Sequence, residues 1–416
     1  SLVDTAIVGH ALGVMALGGV GATGSVNFLV LGFCGGLCTG MAIPLAQAFG
    51  AGEYRQLRRY VAGCVWLGLI MSAVLLAVTL PGTRGLLRLM GTPEEQMDYA
   101  FNYIFIIFVG IPTTILYNMG ACVLRALGDS KSPVWFLAAA SAINIVLDLL
   151  TVCVLGLGVA GAAIATVVSQ LGSGLLCVGY LKKHFPILRM EKDDWKLRRP
   201  EAMRLLGMGV PVGLQFSITA VGSMVMQSAN NGLGSTYVSA FTAAMKIKQF
   251  TMCPFDAIAT SASVFCSQNL GAGQSDRIKK GLRCGIAVGI LLIFAGRTLS
   301  MLFVGKSAVA VLDASAKYLR CMGFFYWSLG ILNVARMVTQ GLGYSGRAVF
   351  SGVTEMIART IVSLGFVGTF GFTAICFADQ TAWITATCYI FPTCLWCIRK
   401  STKMLASIAV RVNNAS

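Results

Sequence analysis

Charge is what this sequence has least of: acidic and basic side chains make up 12% of 416 residues, only 16 of them Asp or Glu, and there are two histidines. Soluble globular chains carry about a quarter charged residues, so scarcity over nearly the whole length excludes one. Long polar stretches are equally scarce, the exception being residues 183–203. His10 and His184 lie far apart, and the fourteen cysteines are scattered, the closest pair, Cys394 and Cys397, falling within an apolar run. That leaves no metal-ligand set, no disulfide framework and no nucleophile beside a base, and so no cofactor and no membrane-embedded enzyme. No basic leader with a small-residue cleavage site precedes the first apolar run.

What is present is apolar: 56% hydrophobic residues and a mean hydropathy of +0.77. A membrane-spanning helix needs about 20 such residues, so the chain divides into about twelve spans plus loops. They are expected at 1–13, 16–49, 60–82, 95–127, 133–155 and 159–181, then at 204–231, 235–270, 278–304, 316–342, 347–369 and 379–398. Ser1 is not a start methionine and the first run is short, so part of the first helix is expected to be missing from the sequence.

The two sets of six echo each other. Gln47-Ala-Phe-Gly50-Ala-Gly52 recurs as Gln268-Asn-Leu-Gly271-Ala-Gly273, 221 residues on, and each copy runs into a basic patch: Arg55, Arg58 and Arg59, then Arg277, Lys279 and Lys280. Leu127-Gly128, Ser130 and Val134 return as Leu342-Gly343, Ser345 and Val349 at a shift of 215, which also pairs Tyr103 with Tyr318 and Asn118 with Asn333. The chain is a duplicated membrane module. Six helices per copy give both copies the same orientation, the parallel-repeat arrangement of transporters. The expected organisation is an N-terminal lobe over 1–182, an interfacial linker over 183–203, a C-terminal lobe over 204–400 and a tail over 401–416.

The net charge of +16 sits on loops after even-numbered spans, at Arg55 to Arg59, Lys131, Lys182 to Arg204 and Arg277 to Arg283, and on the tail. The positive-inside rule puts these loops, the linker and the C-terminus in the cytoplasm of a cell (inner) membrane protein. The cations are not interleaved with stacking aromatics, so nucleic acid is not a partner; membrane lipids and a small substrate are, and the chain is expected to be a monomer.

Two motifs dissolve on inspection. Gly156-Leu-Gly-Val-Ala-Gly161 matches a dinucleotide fingerprint but joins two apolar runs, where a tight hairpin is the fitting structure. Asn414-Ala-Ser416 matches a glycosylation signal on a tail expected in the cytoplasm. Glycines four apart, such as Gly209 and Gly213, suit close helix packing. Pro44, Pro112, Pro211 and Pro254 fall within expected spans, where a kink must face protein or a water-filled cavity.

Function is sought among the ionisable groups that a membrane makes costly. Asp4 lies in the first span, and Asp148 lies mid-span one helical turn after Asn144. Removal from water penalises a charged carboxylate, so such a site can take up and release a proton; the alternative for Asp148 is a purely structural hydrogen bond to Asn144. The second copy has Arg359 and Ser363 at the equivalent positions, and instead carries Glu355 four residues before Arg359. That order favours an intrahelical pair, either self-neutralised or lining a cavity. Lys246, Lys248, Asp256, Arg297 and Arg336 are further intramembrane charges, with Lys248 and Asp256 two turns apart on similar faces, and Gln215, Asn230 and Asn231 could line the same cavity.

With these residues assembled, the sequence resembles the multidrug and toxic compound extrusion (MATE) transporters, in particular the prokaryotic DNA-damage-inducible relatives. The resemblance runs from Ser1 to about Lys400 and rests on Val3-Asp4-Thr5 through Gly9, Gln47 with Phe49 to Gly52, Leu124 to Pro133, Asn144 with Asp148, Gly158 to Thr166, and Glu355 with Arg359. It implies an all-α polytopic membrane protein, two six-helix bundles in a V, and export of amphipathic organic cations in exchange for protons or sodium ions by alternating access. It also implies that Asp4, Asn144 and Asp148, with Thr166, form the cation-coupling cluster, and leaves Glu355, Arg359, Lys248 and Asp256 as a candidate C-lobe group. Gln215 stands where some sodium-coupled relatives carry a glutamate. Tyr103, Tyr117, Phe324, Tyr326 and Trp327 are the aromatics available to a planar cation. The alternative within the superfamily is a flippase for lipid-linked precursors, which would need a strongly cationic cavity.

Overall fold

A computed structural model describes residues 2–89, 92, 94–302 and 309–413; within these ranges the side chains of 2–6, 14, 89, 235, 236, 238, 239, 242, 243, 246, 247, 250, 289–302, 309–313, 315, 316, 320 and 408–413 fall outside the description. Every described element is helical. In chain order they are α1 (Leu2–Ala22), α2 (Gly24–Gly50), α3 (Tyr54–Leu89), α4 (Glu94–Val109), α5 (Ile111–Ala126), α6 (Lys131–Asp148), α7 (Gly158–His184), α8 (Arg199–Asn231), α9 (Ser235–Gly271), α10 (Ser275–Leu302), α11 (Val309–Gly341), α12 (Ser345–Gly365), α13 (Val367–Phe370) and α14 (Phe372–Asn413). The described parts of the twelve expected spans are mainly helical, with breaks inside them at Thr23, Gly110 and Phe366. Among the described residues, eight stretches are each long and apolar enough to cross a membrane, and α4 with α5, bent by 49°, makes a ninth. The bend falls beside Pro112, one of the prolines expected to kink a span: it lies in the first turn of α5, where its missing N–H costs nothing.

The chain divides into two compact units, Ser1–Leu45 with Glu53–Gly213, and Ala46–Gly52 with Leu214–Ser416. In the first, α7 packs on α4, α5 and α6, and α1 on α4 and α7. Gly40, Gly209 and Gly213 let α2 and the start of α8 touch backbone to backbone, for a Cβ at Gly213 would lie 3.0 Å from the Phe33 carbonyl. In the second, α11 is central, against α9, α10 and α14, while α12 lies on α14. A stack of Phe255, Tyr326 and Trp383, with centroids 5.8 and 6.1 Å apart, fills its core. Tyr103 and Tyr326 are therefore core residues, whereas Phe324 and Trp327 are exposed.

Both sequence echoes are helix stops. Gly52 and Gly273 have φ of 72° and 71°, and Gly128 and Gly343 have φ of 91° and 92°, conformations that cost a residue with a Cβ about 1–2 kcal/mol. At the second pair, Asp129 and Tyr344 each return an N–H five residues to Leu124 and Thr339, at 3.0 and 3.1 Å, the bond of a Schellman cap. The repeat is thus legible because the same backbone geometry must be built twice.

The polar stretch over 183–203 docks on the basic patch of the first copy. Arg58 Nε donates to Asp194 Oδ2 at 2.7 Å, Arg59 and Arg55 approach Asp193 at 3.5 and 3.6 Å, and Trp66 Nε1 donates to the Trp195 carbonyl at 3.0 Å. Burial by itself would raise the Asp194 carboxyl, but the Arg58 guanidinium and the Glu191 N–H outweigh it and hold it below the ordinary 3.8. A carboxylate held low stabilises the docked linker fully above 3.8, and that contribution is lost as pH falls through its lowered value. Limited proteolysis of the linker is accordingly expected to be slow and flat from pH 7 to 5 and to accelerate only below about pH 4. Acceleration near pH 6 would mean that another group holds the linker.

Candidate functional site

In the first unit the site is built on α6. Residues Ala140, Asn144 and Asp148 form a buried stripe four apart, while Trp135, Val146 and Leu149 on other faces are exposed. Asp148 is fully buried and Asn144 is 8% exposed. The Asn144 amide nitrogen donates no hydrogen bond among the described residues.

Asp148 also closes the regular part of its helix. From Leu149 to Val154 the backbone widens into a π turn, and Leu155 N–H reaches the Leu150 carbonyl at 2.8 Å. Such turns are uncommon and concentrate at functional sites. Gly161 on α7 makes room for this turn, since a Cβ there would lie 3.0 Å from the Thr151 backbone. Val152 shares a small core with Val8 of α1, Tyr103 of α4, and Val159 and Ala162 of α7, so α1 meets the turn that follows Asp148. The Asp4 side chain lies outside the described residues. Thr166 is half-buried on α7 and its hydroxyl donates to the Ala162 carbonyl at 3.0 Å.

In the second unit five charges converge. Arg359 Nη2 meets Glu355 Oε1 at 2.8 Å, the intrahelical pair that the spacing predicts, and Arg336 Nη2 from α11 meets Oε2 at 2.6 Å. Arg359 Nε meets Asp379 Oδ1 at 2.9 Å. Lys248 Nζ from α9 meets Asp379 Oδ2 at 2.5 Å, and the Tyr318 hydroxyl donates to the same oxygen at 2.6 Å. Lys248, Glu355, Arg359 and Asp379 are 5% exposed or less, and Arg336 is 7% exposed. Every oxygen of the two carboxylates thus holds a cation. Gln340 donates to Gln215 at 2.5 Å beside this group, so Gln215 is a neutral neighbour of the cluster.

Lys248 and Asp256, two turns apart along α9, have different partners. Lys248 turns inward to Asp379, 131 residues away, while Asp256 is exposed and accepts from Asn333 Nδ2 at 3.1 Å. Eight residues along a helix rotate the face by about 80°, enough to send the two side chains to different neighbours. The side chains of Lys246 and Arg297 fall outside the description. Asp379 is the residue that sequence reasoning missed. It was placed at the start of a span over 379–398, where a charge is unremarkable, but α14 begins at Phe372 and Asp379 stands two turns inside it. The apolar run Phe372 to Ala378 was the available signal.

The sequence pattern of the MatE family matches residues 1–150 and 211–365. A probable multidrug resistance protein, YpnP, of Bacillus subtilis (strain 168) is 32% identical over 354 residues, covering 82% of this chain and 78% of that protein. DNA damage-inducible protein F of Escherichia coli (strain K12) is 28% identical over 324 residues, covering 75% and 68%. A crystal structure of MATE in the bent conformation superposes with a TM-score of 0.88 at 21% identity, over 97% of this chain and 92% of that one.

Proposed function

The chain belongs to the MatE family of multi-pass membrane transporters, and from that premise we propose that it exports amphipathic organic cations in exchange for protons, with sodium as the other candidate ion. The observation that carries this reading is Asp148: a fully buried carboxylate at the end of the regular part of α6, beside a π turn and one turn after Asn144. The reading gives Asp148, Asn144, Asp4 and Thr166 the coupling role. Coupling requires only that proton and substrate bind the two access states with different affinity; protonation of Asp148 and Asp4 would alter the fit of α1 and favour outward release. The cluster around Asp379 supports this division of labour, because its carboxylates are neutralised by cations already in place. The linker and the C-terminus are assigned to the cytoplasm by their cations. A multidrug-resistance relative at 32% identity favours drug export over the flippase alternative.

The test is reconstitution in liposomes, following a fluorescent organic cation under an imposed pH gradient and, separately, an imposed sodium gradient. The pH gradient is expected to drive the cation, and Asp148→Asn to reduce transport to the no-gradient background. Equal transport by the variant would remove Asp148 from the coupling site, and transport driven by sodium alone would replace the ion.

A further inference from the structure

The first unit holds an apolar cavity of about 810 Å³ between α3, α5 and α7, walled by residues such as Leu69, Leu116, Met119, Val123, Leu171 and Val178. Phe185, Pro186, Leu188, Met190 and Trp195 of the linker form its roof. The volume lies within the range of ligand pockets, about 300–1,000 Å³. At the roofed end the lining includes Lys182, Lys183 and Arg189, all exposed, and no Asp or Glu lines the cavity among the described residues.

The charge bookkeeping of the linker sharpens the point. Its acids are all engaged with other cations: Asp193 by Arg55, Arg59, Lys196 and Arg198, Asp194 by Arg58, Glu191 by Arg58, and Glu201 by Arg59. Lys182, Lys183 and Arg189 have no carboxylate within 4.0 Å among the described residues. Three uncompensated cations at the mouth of an apolar cavity call for a ligand with an anionic head and an apolar tail. An organic cation has the wrong sign, and a free phosphate leaves the cavity unfilled.

We propose that this cavity is a binding site for an anionic glycerophospholipid, its phosphate held by Lys182, Lys183 and Arg189 and an acyl chain lying between α3, α5 and α7 under the linker. Basic pockets between spanning helices are suited to such headgroups. The site is independent of the coupling chemistry, since neither Asn144 nor Asp148 lines it.

The test uses the purified full chain in neutral detergent, titrated with phosphatidylglycerol or phosphatidylcholine of the same acyl chains and read by native mass spectrometry and thermal unfolding. Phosphatidylglycerol is expected to bind preferentially and to raise the melting temperature more. K182Q/K183Q/R189Q is expected to lose that preference by roughly 100-fold, at about fivefold per cation. R277Q/K280Q, two exposed cations away from the cavity, is the control and should keep it. Equal binding of the two lipids by the parent chain, or equal losses in both variants, would overturn the proposal. So would competition by glycerol phosphate as strong as that of the lipid, which would reduce the site to a headgroup contact.

Discussion

Asp379→Asn is expected to destabilise the protein by roughly 3–5 kcal/mol, the cost of removing one member of a buried ionic group and leaving its partners charged. The substitution preserves shape and removes one negative charge. Lys248 would then face a neutral amide at the position where its ammonium now sits 2.5 Å from a carboxylate, and Arg359 would keep only Glu355. Tyr318 donates to the same oxygen at 2.6 Å and Arg359 Nε to the other at 2.9 Å, so the amide, with one acceptor oxygen in place of two, also loses a hydrogen bond on one side. Thermal unfolding of the purified protein in detergent, followed by intrinsic fluorescence, is the measurement. The second arm is Asp379→Asn with Lys248→Met, which removes the stranded ammonium and should recover at least about half of the loss, since the two sites share one network. A change under about 0.5 kcal/mol for the single variant, the size expected of an exposed pair, would show that the cluster is not sealed from water. No recovery in the double variant would show that Lys248 has a second anionic partner.

The second large effect is expected at the crossing of the two repeated phrases. A Cβ at Gly50 would overlap the carbonyl of Gln268, and a Cβ at Gly271 would overlap the carbonyl of Gln47, so each copy makes room for the other's backbone. Gln47 Nε2 also donates to the Gly341 carbonyl at 3.0 Å, and Ser267 Oγ to the same carbonyl at 2.9 Å, which pins the crossing to the end of α11. Gly50→Ala and Gly271→Ala are each expected to cost about 1–3 kcal/mol through overpacking, and the pair to be less than additive because one separation of the helices relieves both. Gly35→Ala in the same α2 is the control: nothing lies within 4 Å of its Cβ, and a helical Gly→Ala there should be neutral or stabilising by up to about 1 kcal/mol. Identical melting temperatures for all three single variants would mean that the close approach does not persist in solution.

Much of the fold was open to reading in the sequence because its signals are local. Apolar runs of spanning length, glycines at helix stops and the Glu355–Arg359 spacing each depend on residues within a few turns of one another, and each is found as a helix, a left-handed cap or an ion pair. Asn144 and Asp148 share a buried face for the same reason: four residues make about one turn. The cluster around Asp379 was closed to such reading because its members come from α9, α11, α12 and α14. Hydropathy averages over a window, so a single carboxylate near the edge of an apolar run is counted as a boundary. Lys248 is another case, for its partner Asp379 lies 131 residues away and only packing brings the two together.

By itself the sequence determined that this is a duplicated, helical, membrane-spanning chain of the MatE family, since the need to satisfy backbone polar groups in lipid allows few other solutions for so apolar a chain. Only the tertiary structure decided which charges neutralise one another, where α4 gives way to α5, and that Lys182, Lys183 and Arg189 are left over beside an apolar cavity. Those outcomes turn on distances of a few ångströms between residues remote along the chain, and at that range the choice of partner is made by packing.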